Sequence, residues 1–286
     1  MTATERAAPV PSTGEEPEIY SSGRRKRRRA RARRFVAYTI GILLVAAFAA
    51  VADWETIGDK YFDLERARAQ FPEIVKVATR NTLIYTVFSF IGGTILGLTM
   101  ALLRLSSIRP YRWFASIYIE VFRGLPALLT IIFVGFITPI ALGMKFPRVL
   151  GVPTAGIVAL SLVSGAYLAE TLRAGIEAIP KGQVEAARSL GMSHAATMRS
   201  IVIPQAFRVV IPPLTNELVM LLKDTALLSV LGVTIAEKEL TKFGRDAAND
   251  GFNGTPLVIA GLMYLAITIP LTRLVAVLEK RNKESR

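Results

Sequence analysis

Residues 182–217 read GQVEAARSLGMSHAATMRSIVIPQAFRVVIPPLTNE, and the organisation of the chain follows from where this stretch lies. Residues 185–190 are strong helix formers, and Gly191 stops them. Ser193 is a natural N-cap for a second short helix that runs to Pro204. Two short helices joined at a glycine make a compact knob. Ala186 and Ala187 leave its surface flat and small enough to enter a groove on another protein. Glu185 offers a single charge to fix the register.

On both sides of the knob the chain becomes strongly apolar. Apolar residues make up 52% of the sequence and the mean hydropathy is +0.42, yet the formal net charge is +13. These facts coexist when apolar residues face lipid and basic residues sit in loops. About 20 apolar residues cross a hydrocarbon core as a helix. Runs of that length occur at 35–52, 82–103, 114–142, 154–179, 209–233 and 256–277. They lack period-2 alternation, so helices rather than a barrel are indicated. The expected fold is an all-α polytopic membrane protein with six transmembrane helices.

Charge sets the orientation. Residues 1–34 form an expected disordered basic tail, with nine Arg or Lys between Arg24 and Arg34 immediately before the first span. Such a run is held on the cytoplasmic side; a nucleic-acid partner is not expected for it. An even number of spans then places both termini on the cytoplasmic side. The cytoplasmic loops become 104–113 and 181–208, with the tail 278–286. Segments 53–81 and 234–255 lie outside. Lys76 and Arg80 fall on the outer side, against the trend. Segment 53–81 is too polar to span and forms either a short interfacial helix or a partly ordered loop. There is no cysteine and one histidine, His194, so thiol chemistry and a His-based metal cluster or triad are excluded.

The knob resembles a known family. Glu185-Ala186-Ala187, three residues, Gly191, nine residues and Ile201-Val202-Ile203-Pro204 are similar to the EAA loop of type I ABC importer permeases. Ile203 stands where that family often has Leu. Flanking stretches point to the polar-amino-acid branch. Glu120-Val121-Phe122-Arg123-Gly124-Leu125-Pro126 is similar to its ELFRGTP pattern. Ser164 through Glu170 and Arg173-Ala174-Gly175-Ile176 resemble the segment before the loop. Lys223-Asp224-Thr225-Ala226-Leu227 resembles its KDTSL stretch, with Ala226 in place of Ser. The resemblance covers residues 78–280. It implies a permease core of five helices, here 82–277, with 35–52 as an extra N-terminal span.

It also implies the partners. Glu185, Ala186, Ala187 and Gly191 would dock a cytoplasmic ATPase subunit dimer. A second permease subunit, self or paralogue, and an extracytoplasmic substrate-binding protein complete the assembly. The chain has no G-x-x-x-x-G-K-[ST] phosphate loop, so ATP is expected to be used by the partner. No cofactor, metal or catalytic residue is expected in this chain.

Charges inside spans are costly, by at least ~2.5–3.5 kcal/mol on insertion scales, and mark candidate substrate groups. Glu120 and Arg123 stand three apart, as do Glu170 and Arg173, so each pair shares a helix face. Either Arg123 holds a substrate carboxylate while Glu170 or Glu120 holds its ammonium, or both are structural pairs. Arg173 lies near the cytoplasmic end, where it can snorkel. Ser161, Ser164 and Tyr167 give the next span a polar side, facing a pore or another helix. Lys223 and Asp224 point to different faces and need partners from elsewhere, as a gate or an inter-span ion pair. Span 114–142 is too long for a perpendicular helix, so it tilts or begins to cross near Arg123, with Pro126 and Pro139 as allowed kinks. Gly92, Gly93 and Gly97 serve close helix packing. The expected function is import of a polar amino acid, with glutamate favoured. An ion-coupled secondary transporter is the alternative, and would need a coupling-ion site and internal repeats that the sequence does not display.

Overall fold

The computed structural model describes residues 18–284. Residues 1–17 of the basic tail, expected to be disordered, and 285–286 of the C-terminal tail lie outside that range. The chain divides into two compact units, residues 1–57 and 58–286.

In the first unit, α1 runs Glu18–Val51 without a break. Residues 18–34 are therefore helical, against the expectation of disorder. Arg and Ala are good helix formers, and a helix nucleated by the apolar run extends cheaply into them. The turn after α1 is closed by Trp54, whose indole N–H donates to the Ala49 carbonyl at 2.7 Å. Its ring meets Phe48 edge-on, with centroids 6.5 Å apart.

Segment 53–81 is largely helical. It contains α2 (Trp54–Tyr61) and α3 (Leu64–Glu73). Asp63 caps α3 by accepting from the Arg66 amide at 3.1 Å. A π-helical turn at Ile74–Thr79 leads into α4 (Arg80–Leu105), so the second span continues a helix that starts well outside it. The start of α13 (Thr255–Glu284) holds this segment. Gly254 donates its amide to the Lys60 carbonyl at 2.6 Å, and Asn253 donates its side-chain amide to the Asp59 carbonyl at 2.9 Å.

Helix α5 (Arg109–Gly124) and α6 (Ala127–Ile132) form one bent unit. It continues through a π turn at Phe133–Ile137 into α7 (Thr138–Leu142). The bend is 106° and falls at Leu125–Pro126. Pro126 cannot donate the amide that would continue α5. Pro139 lies in the first turn of α7 and breaks nothing. A two-stranded hairpin follows, β1 (Arg148–Val149) with β2 (Val152–Pro153). Its turn needs positive φ at both central residues, found at Leu150 (51°) and Gly151 (90°).

The largest seam joins α4 to α8 (Thr154–Glu177). Glycines set its spacing, as the sequence suggests. A Cβ on Gly97 would stand 2.8 Å from Leu168 Cβ and 3.0 Å from the backbone of Gly165 and Ala169. Gly93 lies directly against the Ser164 hydroxyl. After α8 come α9 (Lys181–Ser189), α10 (His194–Thr197), a π turn at Met198–Val202 and α11 (Ile203–Asp224). A 3₁₀ turn, Thr225–Val230, leads toward α12 (Leu240–Gly251) and α13. Tyr85, Ile131, Val134, Leu160, Leu221 and Leu228 form the main core among α4, α6, α8 and α11.

Among the described residues, four helices are long and apolar enough to cross a membrane, or five if the bent α5–α7 unit counts as one span. The expected span 209–233 is not among them. Pro212, Pro213, Glu217, Lys223 and Asp224 interrupt its apolar run, and its α-helix stops at Asp224. The helical membrane class is as expected; the count of six is not reproduced by length and hydropathy.

Candidate functional site

Two features stand out, an open polar cavity on the flank of the helix bundle and an exposed short helix at one end of it.

The cavity has a volume of about 350 Å³ and lies between α4, α5 and α8. It is lined by Arg104, Ile119, Glu120, Arg123, Tyr167 and Glu170. The cavity lies just before the bend, with Gly124 at the end of α5 among its lining residues. Arg123 lies over the Tyr167 ring, with the guanidinium carbon 5.6 Å from the centroid. Such a contact contributes about 0.5–2 kcal/mol and holds the guanidinium without using its hydrogen-bond donors.

Glu170 is differently placed. One carboxylate oxygen accepts from Arg104 across the α4–α8 seam at 2.8 Å, and the other accepts from Arg173. Arg173 also reaches Glu177 at 2.5 Å. Glu170 is thus the centre of an ion network rather than a carboxylate open to a ligand ammonium. Arg173 acts in this network and does not simply snorkel. Arg104, which the sequence placed in a cytoplasmic loop, is in the last turn of α4 and lines the cavity. The Glu120–Arg123 pair that the three-residue spacing allows is not formed. Among the described residues neither joins an ion pair, so both present a free charge to the cavity.

Not every candidate converges here. Tyr167 lines the cavity. Ser164 is 2% exposed, faces Gly93 in the α4–α8 seam and leaves its hydroxyl without a partner. Ser161 donates to the Ser89 carbonyl at 3.3 Å, also across the seam. Lys223 and Asp224 end α11 and are not among these lining residues. Among the described residues neither makes an ion pair, so the inter-span pair expected for them is not present within one chain.

The exposed helix is α9. It starts at Lys181, earlier than the 185–190 expected, and ends before Gly191, whose φ is +83°. That left-handed value suits glycine and turns the chain sharply. Ser193 caps α10 by accepting from the Ala196 amide at 3.2 Å. Glu185 and Ala186 face outward, whereas Ala187 is 2% exposed. Ala187 therefore packs inward and does not belong to the flat outer surface. Ile179, Val202 and Ala206 form a small cluster in the same region, with Val184 of α9 and Met198 packed against it. Leu190, just past α9, is 85% exposed. Gln205 on α11 donates to the Gln183 side chain at 2.6 Å, tying α9 to the transmembrane body.

Sequence reasoning missed Arg104, Leu190 and this glutamine bridge. A basic residue in the last turn of α4 and an apolar residue before a helix-ending glycine are weak signals. The bridge spans 22 positions and leaves no local pattern.

The family model described as the binding-protein-dependent transport system inner membrane component matches residues 93–284, a range that includes the cavity and α9. The chain belongs to that family. The arginine transport system permease protein ArtQ of Bacillus subtilis (strain 168) is 38% identical over 204 residues, covering 71% of this chain and 90% of that protein. The L-cystine transport system permease protein TcyB of the same organism is 37% identical over 200 residues, covering 70% of this chain and 82% of the relative. Among solved structures, an amino acid ABC transporter crystallised with histidines matches with a TM-score of 0.68 and 36% identity. That match covers 77% of this chain and 98% of the other. The MetNI methionine transporter shares the fold, with a TM-score of 0.57 at 21% identity over 73% of this chain and 98% of its own. The permease is accordingly a transport protein of the ABC importer class, whose members are non-catalytic subunits.

Proposed function

We propose that this permease is the translocating subunit of an ATP-driven importer for a polar amino acid. The cavity carries this reading. Arg123, free of any ion pair and turned to the cavity beside Tyr167, suits a substrate α-carboxylate through a charge-assisted pair of hydrogen bonds. Glu120, free and one helical turn away, suits the ammonium. Glu170, with both oxygens engaged by arginines, positions α4 and α8 and sets the electrostatics of the wall. With Arg104 and Arg123 both lining the cavity, an acidic or amide side chain is favoured, glutamate first. Lys223 and Asp224 end α11 and make no ion pair among the described residues, which suits a contact made only when a second permease subunit is present.

The surface of α9 supports the coupling half of the reading. Glu185, Ala186 and Leu190 face outward, while Ala187, Val184 and Gln183 bind α9 to the body. A partner ATPase dimer that moves α9 would move α11 with it, in an alternating-access cycle. An extracytoplasmic binding protein delivers the substrate. Six spans with both termini in the cytoplasm complete the model, with 209–233 crossing despite its charges because it lines the path.

The test is ATP-dependent uptake of a labelled amino-acid panel in proteoliposomes holding the copurified complex and its binding protein. Glu185→Ala and Gly191→Asp should abolish uptake while assembly persists. Arg123→Gln should raise the half-saturating substrate concentration more than tenfold. Uptake that continues without ATP in the α9 variants would instead identify an ion-coupled transporter.

A further inference from the structure

Lys76 and Arg80 are basic residues at the end of the bundle opposite α9, where basic side chains are disfavoured. The structure gathers them with more positive charge. Arg80 donates to the Leu150 carbonyl at 3.0 Å, at the tip of the β1–β2 hairpin. Arg148, in the same hairpin, has its side chain 64% exposed and is paired with the nearly buried Glu237. Lys145 is exposed three residues earlier. Lys76 precedes Arg80 by about one turn and is also exposed.

Below this corner runs a groove of about 470 Å³, lined by Val75, Arg80, Leu83, Val87, Phe88 and Leu150 among others. Its walls are apolar. Leu83 and Val87 are exposed, as are Ile91 and Ile95 further along α4, so the groove continues onto the helix face that meets hydrocarbon. The π turn at Ile74–Thr79 widens the helix where the groove begins. Apolar walls that run into the lipid face, with the Arg80 guanidinium in the lining and the exposed Lys76 about one turn before it, match one molecule in shape and charge order. The acyl part lies along α4, and the phosphate lies at the rim.

We infer that this groove binds an acidic phospholipid of the extracytoplasmic leaflet, with its phosphate on Arg80 and Lys76 and an acyl chain along Leu83 and Val87. The lipid supplies a negative partner for Arg80 and Lys76, which join no ion pair among the described residues. It also bridges α4 to the hairpin that Arg80 already contacts. An acidic protein surface is a poorer match, because the groove opens sideways toward lipid rather than outward to water.

The complex would be reconstituted in phosphatidylcholine vesicles containing a minority of photoactivatable phosphatidylglycerol, and the labelled peptides mapped by mass spectrometry. Label should fall on residues 75–88 and around Leu150. It should drop about fivefold in Arg80→Gln, matching the loss of one basic contact at a lipid surface. Val87→Trp, which fills the apolar part and alters no charge, should reduce it as well. Photoactivatable phosphatidylcholine should label this segment weakly and equally in wild type and Arg80→Gln. Equal labelling by the two lipids, labelling unchanged in both variants, or displacement of the label by purified binding protein would each overturn the inference.

Discussion

Replacing Gly97 with alanine is a direct test of how the α4–α8 seam builds the site. The added methyl would lie 2.8 Å from Leu168 Cβ and 3.0 Å from both the Ala169 amide nitrogen and the Gly165 carbonyl oxygen. Ordinary contacts between such atoms are about 3.5–4.0 Å, and two of the three neighbours are backbone atoms that cannot rotate aside. Overpacking of this kind costs about 1–3 kcal/mol. Alanine recovers up to about 1 kcal/mol of helix propensity, so a net loss of roughly 1–2 kcal/mol is expected. The seam must open, and Arg104 on α4 must then part from Glu170, which adjoins the Leu168–Ala169 contact on α8 and lies 2.8 Å from it. The assay is unfolding of the purified complex in mixed micelles, followed by circular dichroism, together with uptake. Gly261→Ala is the control. Nothing lies within 4 Å of a Cβ there, so this variant should be neutral or slightly stabilising. If Gly97→Ala is as stable and active as Gly261→Ala, the account of the seam is wrong.

Leu190→Asp should leave the fold intact, since the residue is 85% exposed and exposed substitutions usually change stability by less than about 0.5 kcal/mol. Copurification of the ATPase subunit should nevertheless fall at least tenfold, which a pull-down measures; unchanged copurification would remove Leu190 from the docking surface. Glu239, outside the spans, carries a pH dependence. Burial pushes its carboxyl up to about 7, although the Thr241 and Lys242 amides and the Tyr264 hydroxyl donate to it and act in the opposite direction. The folded state therefore holds the proton more tightly than the unfolded one. This group's contribution to stability is largest below its ordinary pKa of about 4.5 and is lost as pH rises to about 7, on the order of 3 kcal/mol at most. Glu239→Gln should flatten the stability curve between those pH values, and an unchanged slope would refute the assignment.

Helix-forming apolar runs, the position of the EAA-type stretch and the glycines at 93 and 97 were legible because each is a local pattern with a local physical meaning. The break at Pro126 was legible as a possibility, since proline removes a donor, but its 106° size depends on what α6 packs against. Residues 18–34 were misread, because charge density suggests disorder while Arg and Ala favour helix once an adjoining span nucleates it. The outward surface of α9 was read almost correctly. Ala186 and Ala187 are chemically the same, and only the way α9 lies on the body turns one inward and leaves the other exposed.

By itself the sequence determined that this is a helical membrane protein of a known transport family with a docking element between spans. Those properties follow from hydropathy, helix propensity and the spacing of a few residues. The tertiary structure alone decided which charges are free. Glu120, Arg123, Glu170 and Arg173 sit in two pairs of equal spacing, and nothing local distinguishes them. Arg104, far away in sequence, reaches Glu170 across a seam made narrow by glycine. That contact engages one carboxylate and leaves Arg123 and Glu120 open to the cavity, because pairing of charges depends on distance in space and on nothing written in their order.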